Sequence, residues 1–229
     1  MAASDLVDIW NDAILSATSK GSISSIAEQS AEAAICAQRY PSVVRSVLRD
    51  TDWNCVRRRV GLLEVTAGAV APPSWTYMYV YPEDCEVVRG FDFGLPAARF
   101  PSWTMVDYEV ADDATAGKVI LTNVACPVMI YTSYVLDLIS GTYEAKFDSM
   151  LREAVSWALA AAIVGPLTGN RALAADVRQE AKMVLDLAKA ANANESAPNQ
   201  MPQDCDSLAV RGAIDMSAPD WRGYWPRIF

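Results

Sequence analysis

The side chains that most often perform catalysis are scarce in this sequence of 229 residues, which contains no histidine. Histidine is the commonest general base and a frequent zinc ligand, so its absence removes Ser-His and Cys-His nucleophile activation and most catalytic zinc sites. The cysteines are odd in number and widely separated, and they form no close pair of the kind that binds zinc or exchanges disulfides. We interpret them as reduced, mostly buried thiols: Cys36, Cys55, Cys85, Cys126 and Cys205.

Carboxylates are the remaining candidates for acid–base chemistry. They cluster at two places, which are Asp5, Asp8 and Asp12, and the pair Asp112 and Asp113. Their spacing is typical of solvated helix or turn positions, and no glycine-rich phosphate loop occurs in the chain. The sequence therefore predicts a protein that is not an enzyme and that needs no metal or cofactor. Two facing carboxylates with perturbed pKa values in a concave pocket would reverse this interpretation.

The formal net charge of −9 disfavours a protein that holds nucleic acid tightly, because affinity for phosphates comes chiefly from Lys and Arg. An acidic surface would still let duplex DNA slide past without adhering. One cluster is basic, and it comprises Arg45, Arg49, Arg57, Arg58 and Arg59. We expect these guanidinium groups to bind carboxylates of an adjacent subunit or partner. Independent, solvated arginines are an equal alternative, and contact with DNA is a third.

Periodic apolar residues predict two helices in the first quarter of the chain. The first begins around Leu6, with Ser4 as its expected N-cap and Gly21 at its end. The second follows Ser30, a suitable N-cap, and contains Pro41. Since proline cannot donate a hydrogen bond to the carbonyl four residues earlier, this segment is either one kinked helix or two helices.

The middle of the chain alternates with a period of two, which is typical of strands. Trp75, Tyr77, Tyr79 and Tyr81 are expected to share one strand face, as core or as a subunit contact rather than as a ligand platform. Further β-like runs are 56–65, 85–90, 104–110, 118–122 and 128–134. Together they predict a small antiparallel sheet inserted between helices.

Two long antiparallel helices are expected after Phe147. Gly165 and Pro166 are predicted to close the first, and the second follows Gly169 and Asn170. The longest apolar stretch, 154–167, falls short of the roughly 20 residues that a bilayer crossing requires. The N-terminus lacks a secretion signal, so we expect no membrane association and synthesis in a cytoplasm.

The last residues combine prolines that interrupt regular structure with a dense set of apolar side chains. These side chains are Trp221, Tyr224, Trp225, Ile228 and Phe229. Burial of such side chains contributes roughly 1.5 to 3 kcal/mol each. We therefore expect this arm to bind a partner; packing back onto its own domain is the near-equal alternative.

The expected fold class is α+β: an antiparallel helical bundle with an inserted small antiparallel β-sheet and an extended C-terminal arm. The expected divisions are 1–55 for the N-terminal helices of the bundle, 56–140 for the β-rich insert, 141–195 for the long helix pair that completes the bundle, and 196–229 for the arm.

Several short motifs occur in an order that resembles a known family. They are Gly21-Ser-Ile-Ser-Ser-Ile26, Ser30-Ala-Glu-Ala33, Cys36, Tyr40-Pro41, Arg45, Val47-Leu48-Arg49, Trp53-Asn54, Tyr79-Val-Tyr81-Pro-Glu-Asp84-Cys85, and a helix that ends in Leu167-Thr168-Gly169. Their order is similar to that of phage head-to-tail adaptors, the tubular tail A proteins of short-tailed phages and their head-completion relatives. The segment from Ser217 to Phe229 matches no motif of that family.

The resemblance implies a structural protein of the virion neck, at the portal vertex, without catalytic activity. Such adaptors form a homo-oligomeric ring, expected to be dodecameric, below the portal. The implied partners are the portal protein, a tail nozzle or tail tube protein and further copies of the chain. Double-stranded DNA would pass through the lumen without specific binding.

An acidic subunit repeated around a ring would line its channel with negative charge. The acidic positions considered for this lining are Glu153, Asp176, Glu180 and Asp186. An ordinary solvated helix face is the favoured explanation for them.

A helical ligand-binding regulator is the alternative from another functional class, because long amphipathic helices and buried aromatics also describe such receptors. The chain lacks a basic recognition helix, and retention of duplex DNA at low salt would distinguish a repressor from an adaptor.

Overall fold

Helices occupy both ends of the described chain, and strands occupy its middle. The computed structural model describes residues 2–18, 22–65, 71–92, 107–125, 127–135 and 143–195. The helices are α1 (Ala2–Thr18), α2 (Ala31–Asp50), α3 (Ser149–Thr168) and α4 (Arg171–Glu195). The strands are β1 (Arg57–Gly61), β2 (Tyr77–Val80), β3 (Cys85–Asp92), β4 (Tyr108–Asp113), β5 (Gly117–Thr122) and β6 (Val128–Ser133). The predicted α+β class is confirmed, whereas the arm at 196–229 lies outside the described residues.

The first two helices differ from the predictions at one cap and at the proline. Ser4 lies inside α1, which begins at Ala2, because alanine is a strong helix former and extends the helix by half a turn. The predicted end at Gly21 lies outside the described residues. Ser30 does cap α2, since its hydroxyl accepts a hydrogen bond from the backbone N–H of Ala33 at 3.3 Å. Pro41 lies within one continuous helix, so the two-helix alternative is wrong.

α3 does not stop at Gly165 and Pro166 but continues to Thr168. Glycine has no Cβ to collide with the following proline ring, which explains why the helix can pass through this dipeptide. Gly169 then ends α3 in the left-handed conformation, with φ of 64°, and its N–H donates to the Gly165 carbonyl at 3.0 Å. The Asn170 side chain accepts hydrogen bonds from two backbone N–H groups at the start of α4.

The helical core is built around α3, which packs against α1, α2 and α4. Its buried side chains include Leu151, Val155 and Leu159. In the same core the rings of Trp10 and Tyr40 meet edge to face at 6.0 Å. Within the described chain, α3 is also the one helix long and apolar enough to cross a membrane. The core helix of a globular bundle passes the same test of length and composition, and eight residues of α3 are buried.

Two three-stranded antiparallel sheets take the place of the single predicted sheet. Their strand orders are β1-β6-β3 and β2-β5-β4. In the first, Val60 lies opposite Met129; in the second, Tyr79 lies opposite Ile120 and Ile120 opposite Val110. A tight turn at Gly117, with φ of 70°, joins β4 to β5.

Residues 57–65 belong to both sheets and explain why there are two. The first part of this segment is β1, which pairs with β6. Its continuation pairs with β2, because Val65 N donates to Met78 O and Val80 N donates to Leu63 O, each at 2.9 Å. The predicted strand 56–65 is thus one extended segment that changes partner. The two sheets enclose a shared cluster of buried residues: Leu62, Tyr79, Cys85, Ile120, Met129 and Tyr131.

The aromatic residues predicted to share one strand face divide between two clusters. The rings of Tyr77 and Tyr79 stack at 6.2 Å and pack, with Tyr81, on the cluster between the sheets. Trp75 precedes β2 and packs instead with Met78 on the other face. The prediction is therefore wrong for Trp75, because strand alternation begins only at Tyr77.

Candidate interaction surfaces

The aspartates considered for catalysis take part in ion pairs and turns. Arg152 of α3 lies between two carboxylates of α1, with its guanidinium nitrogens 3.3 Å from Asp5 and 3.6 Å from Asp8. Asp113 accepts hydrogen bonds from two backbone N–H groups of the β4–β5 turn, which lower the pKa of its carboxyl. Among the described residues, no group of three or more His, Cys, Asp and Glu side chains could hold a metal ion. The other two aspartates are exposed: Asp12 and Asp112.

The three cysteines within the described chain are free thiols. Cys36 and Cys85 are buried, and Cys55 is half-buried. Burial raises the pKa of the Cys36 thiol to about 11, so this side chain behaves as a small apolar group at neutral pH. Cys126 and Cys205 lie outside the described residues.

Two arginines of the predicted basic cluster share one carboxylate on the neighbouring strand β3. Arg45 and Arg49 lie one turn apart on α2, with Nε atoms 3.7 Å and 3.0 Å from the Glu86 carboxylate oxygens. The Arg45 guanidinium also lies over the Tyr134 ring, 5.1 Å from its centroid. Both arginine side chains are more than half exposed, so each retains N–H donors that face solvent.

Two further arginines of the cluster, both on β1, form ion pairs with acidic residues outside the strand. Arg57 pairs with Asp52 at 2.8 Å, and Arg58 pairs with Asp84 at 2.7 Å. Arg59 is exposed on β1. The carboxylates that these side chains bind in the structure thus belong to their own chain, and contact with another subunit or with a portal stays a prediction.

Arg89 is a half-buried arginine that the sequence patterns did not single out. It lies on β3 and reaches the C-terminal end of α2, where its Nη2 donates to the carbonyls of Leu48 at 2.7 Å and Thr51 at 2.5 Å. Its Nε donates to Thr132 Oγ1 on β6 at 2.9 Å. Desolvation lowers the pKa of Arg89, but these acceptors compensate the charge at the negative end of the helix dipole. Arg89 therefore attaches the first sheet to α2.

The C-terminal end of α4 is held at a fixed position by a buried asparagine. Asn192 Oδ1 accepts from the backbone N–H of Asn54, and Asn192 Nδ2 donates to the carbonyl of Asp52, each at 2.9 Å. Lys189, one turn earlier, pairs with Asp50 at the end of α2. Residues 196–229, which include the predicted partner-binding side chains from Trp221 to Phe229, follow directly after this attachment and lie outside the described residues.

A buried polar contact joins the helices to the segment that follows the sheets. Glu144 is 2% exposed, and its Oε1 accepts a hydrogen bond from Tyr40 OH on α2 at 3.0 Å. Tyr143 OH donates to the carbonyl of Ser133 at the end of β6. Burial and the neighbouring Glu144 raise the pKa of Tyr40 well above its ordinary value. Sequence periodicity missed Glu144 because it lies in a short 3-10 turn outside every predicted element.

The acidic positions considered for a channel lining are at the surface. Glu153, Asp176 and Glu180 are exposed on α3 and α4. Asp186 is exposed as well and lies 3.6 Å from Lys189. Their exposure fits a solvated helix face, and it is also compatible with the lining of a channel.

Two open grooves of opposite charge lie along α3. The acidic groove, of about 370 Å³, lies between α1 and the start of α3. The basic groove, of about 430 Å³, lies at the α3–α4 turn. The acidic groove is lined by Asp12, Leu15, Ser16, Ser149, Arg152, Glu153, Ser156 and Trp157. The basic groove is lined by Gly165, Gly169, Asn170, Arg171, Ala174 and Arg178.

No protein-family model matches the chain, and no curated protein matches it either.

Proposed function

We propose that this protein is a structural head-to-tail adaptor of a phage virion. In this proposal it forms a ring below the portal, extends the DNA channel and offers the attachment platform for a tail nozzle or tail tube protein. The ring is homo-oligomeric, and double-stranded DNA passes through its lumen without specific binding. The protein acts through its surfaces and performs no catalysis.

The observation that carries the proposal is the attachment of the last helix. Lys189 joins the end of α4 to the end of α2, and Asn192 joins it to the residues between α2 and β1. An arm that starts from a fixed point loses less conformational entropy on binding than one that starts from a loose helix end. The aromatic residues at 221–229 supply the apolar area for such binding.

Two of the residues that carry the family resemblance, Trp53 and Asp84, lie at junctions of the fold, which also supports a scaffold role. Trp53 is fully buried, and its Nε1 donates to the Val47 carbonyl at 2.9 Å. Asp84 binds Arg58 and accepts from Tyr131 OH at 2.9 Å. Trp53 lies where α2 leads into β1, and Asp84 connects the β2–β3 turn to β1 and β6.

Deletion of residues 219–229 tests the proposal. We expect an unchanged melting temperature and loss of attachment to the portal, because the deleted aromatics contact the partner rather than the subunit core. Thermal unfolding and co-sedimentation with assembled portal measure the two quantities. The matched variant Trp221→Ala/Trp225→Ala/Phe229→Ala keeps the chain length and should give the same pair of results.

Loss of several kcal/mol of stability together with retained attachment would place the arm in the subunit's own core and contradict this role for it. Electron microscopy of the wild-type protein mixed with its portal examines the ring itself, and a portal that stays bare would refute the adaptor assignment.

The proposed contact of the basic cluster with a neighbouring subunit or the portal is tested by Arg45→Ala. This variant leaves the shorter Arg49–Glu86 pair intact, so we expect the free energy of unfolding to change by no more than about 1 kcal/mol. Attachment or ring formation should weaken if Arg45 binds a carboxylate of a neighbour. Arg39→Ala, an exposed position on the same helix, is the control. If wild type and Arg45→Ala assemble equally well, Arg45 is not part of the interface.

A further inference from the structure

The acidic and basic grooves on α3 have complementary features. In the acidic groove Leu15 projects from α1 and is 59% exposed. Asp12 and Glu153 line the groove beside it, and no ion pair is found for either carboxylate within the described chain; Arg152, which also lines the groove, is paired with Asp5 and Asp8. An exposed apolar side chain with charged residues around it has the composition of a docking surface.

The basic groove offers the opposite charge and an open floor. Arg171 and Arg178 lie on one face of α4, two turns apart, and neither forms an ion pair with a described residue. Between them Ala174 is buried. A Cβ placed on Gly165 or Gly169 would meet no atom within 4 Å. The groove therefore has room for an apolar side chain between two guanidinium groups.

The two grooves cannot meet within one molecule. Both are built on α3, where Glu153 and Gly165 are separated by about 18 Å of helix rise. Helix α3 is rigid because it is packed against the three other helices. Each groove can therefore find its complement only on another molecule.

We propose that the acidic groove of one copy docks onto the basic groove of the next copy. Leu15 enters the glycine-walled space, and Asp12 and Glu153 pair with Arg171 and Arg178 through charge-assisted hydrogen bonds. The contact joins two different surfaces, so it is head-to-tail, and head-to-tail contacts generate rings when the rotation closes. The inference rests on the proposed ring and assigns its subunit contact.

The chain itself favours a second copy over nucleic acid as the occupant. Duplex DNA presents negative charge along its whole length to a chain of net charge −9, whereas a second copy, which carries the same net charge, meets the basic groove with only a local acidic surface. The same chain supplies carboxylates that are not committed to ion pairs, next to an apolar side chain of a size that the basic groove can accept. Phosphate groups could pair with Arg171 and Arg178 in the basic groove, but their binding would not cover the exposed Leu15 of the acidic groove.

Charge reversal in the full-length protein tests this contact. The variant Asp12→Arg/Glu153→Arg makes both grooves basic, and Arg171→Glu/Arg178→Glu makes both acidic. By sedimentation velocity at low salt, we expect each variant alone to raise the apparent dissociation constant of self-association at least about tenfold. An equimolar mixture of the two variants should associate again, because each groove then meets its opposite. Glu83→Arg and Arg39→Glu, exposed positions outside both grooves, should leave association unchanged.

A wild-type chain that stays monomeric at roughly millimolar concentration in low salt would overturn the inference. So would reversal variants that associate like wild type, or a mixture that fails to restore association. If Arg171→Glu/Arg178→Glu lost duplex DNA binding while self-association was unchanged, the basic groove would be a phosphate contact instead. Portal attachment by the wild type is measured separately. If the wild type self-associates but does not attach to the portal, the adaptor function alone is refuted. If it attaches to the portal but the charge-reversal variants self-associate like wild type, this contact alone is refuted.

Discussion

At the scale of single residues, the contacts between helices and strands depend on buried or half-buried polar side chains that each have a defined partner. Tyr40 donates to Glu144, Trp53 donates to the Val47 carbonyl, and Arg89 reaches the end of α2. A buried polar group is costly when its partner is lost, because desolvation is then no longer compensated. These residues therefore determine how the helices meet the sheets.

Tyr40→Phe should lower the free energy of unfolding by roughly 1 to 3 kcal/mol, because it removes one donor to a buried carboxyl without creating a cavity. Urea denaturation at neutral pH measures this change. Tyr108→Phe, at an exposed position on β4, is the matched control and should change stability by less than about 0.5 kcal/mol. Similar small effects of both substitutions would show that the Tyr40–Glu144 hydrogen bond contributes nothing to stability.

At the scale of elements, α4 is stabilised at both ends by different means. At its start, the Asn170 side chain caps the first turn. At its end, Asn192 exchanges hydrogen bonds with residues 52–54, which lie before β1. The last turns of a helix ordinarily fray, so this contact keeps α4 ordered up to Glu195, its last residue.

Asn192→Ala should cost about 1 to 3 kcal/mol, since it removes the hydrogen bonds of the Asn192 side chain to the half-buried Asn54 N–H and Asp52 carbonyl. Amide hydrogen exchange should accelerate in the last two turns of α4 and stay slow around Val177. The control is Asn194→Ala, two residues further and exposed. If both variants exchanged at the same rate as wild type, the end of α4 would not depend on this contact.

At the scale of the whole molecule, several tyrosines lie deep inside the fold. Tyr40 and Tyr143 are buried in the helical core, where desolvation raises the pKa of each well above the ordinary value near 10. Tyr131, between the sheets, has its pKa raised to about 12 by burial and by its hydrogen bond to Asp84. The folded chain therefore retains phenolic protons at a pH where the unfolded chain releases them.

The free energy of unfolding should fall as pH rises above about 10. The folded pKa values of these tyrosines are raised, so their contribution is complete below pH 10 and is lost between pH 10 and the folded pKa. The loss is about 1.4 kcal/mol per pH unit for each tyrosine. Cys36 adds a contribution of the same sign up to about pH 11. Urea unfolding between about pH 9 and pH 11 measures the slope, which should be shallower in Tyr40→Phe; equal slopes would contradict this origin.

Local patterns predicted the helices and most strands because the features that define them are adjacent in sequence. The repeat of apolar residues at helical spacing indicated four helices, and the Ser30 cap of α2 was predicted correctly. Asn192 also had a local signal, since it continues the buried stripe of Ala181 and Ala188 at helical spacing. A polar residue at such a position indicates a buried partner but does not identify it.

The sequence alone thus determined the class of fold, the absence of histidine chemistry and the acidic balance, since composition and short-range periodicity carry that information. Tertiary structure decided which partners the polar residues find. Tyr40 and Glu144 are 104 residues apart, and Asn54 and Asn192 are 138 apart. It also split the strands into two sheets, paired four predicted interface arginines within the chain and placed opposite charges along α3. Such pairings depend on how distant segments pack, and no short-range pattern encodes them.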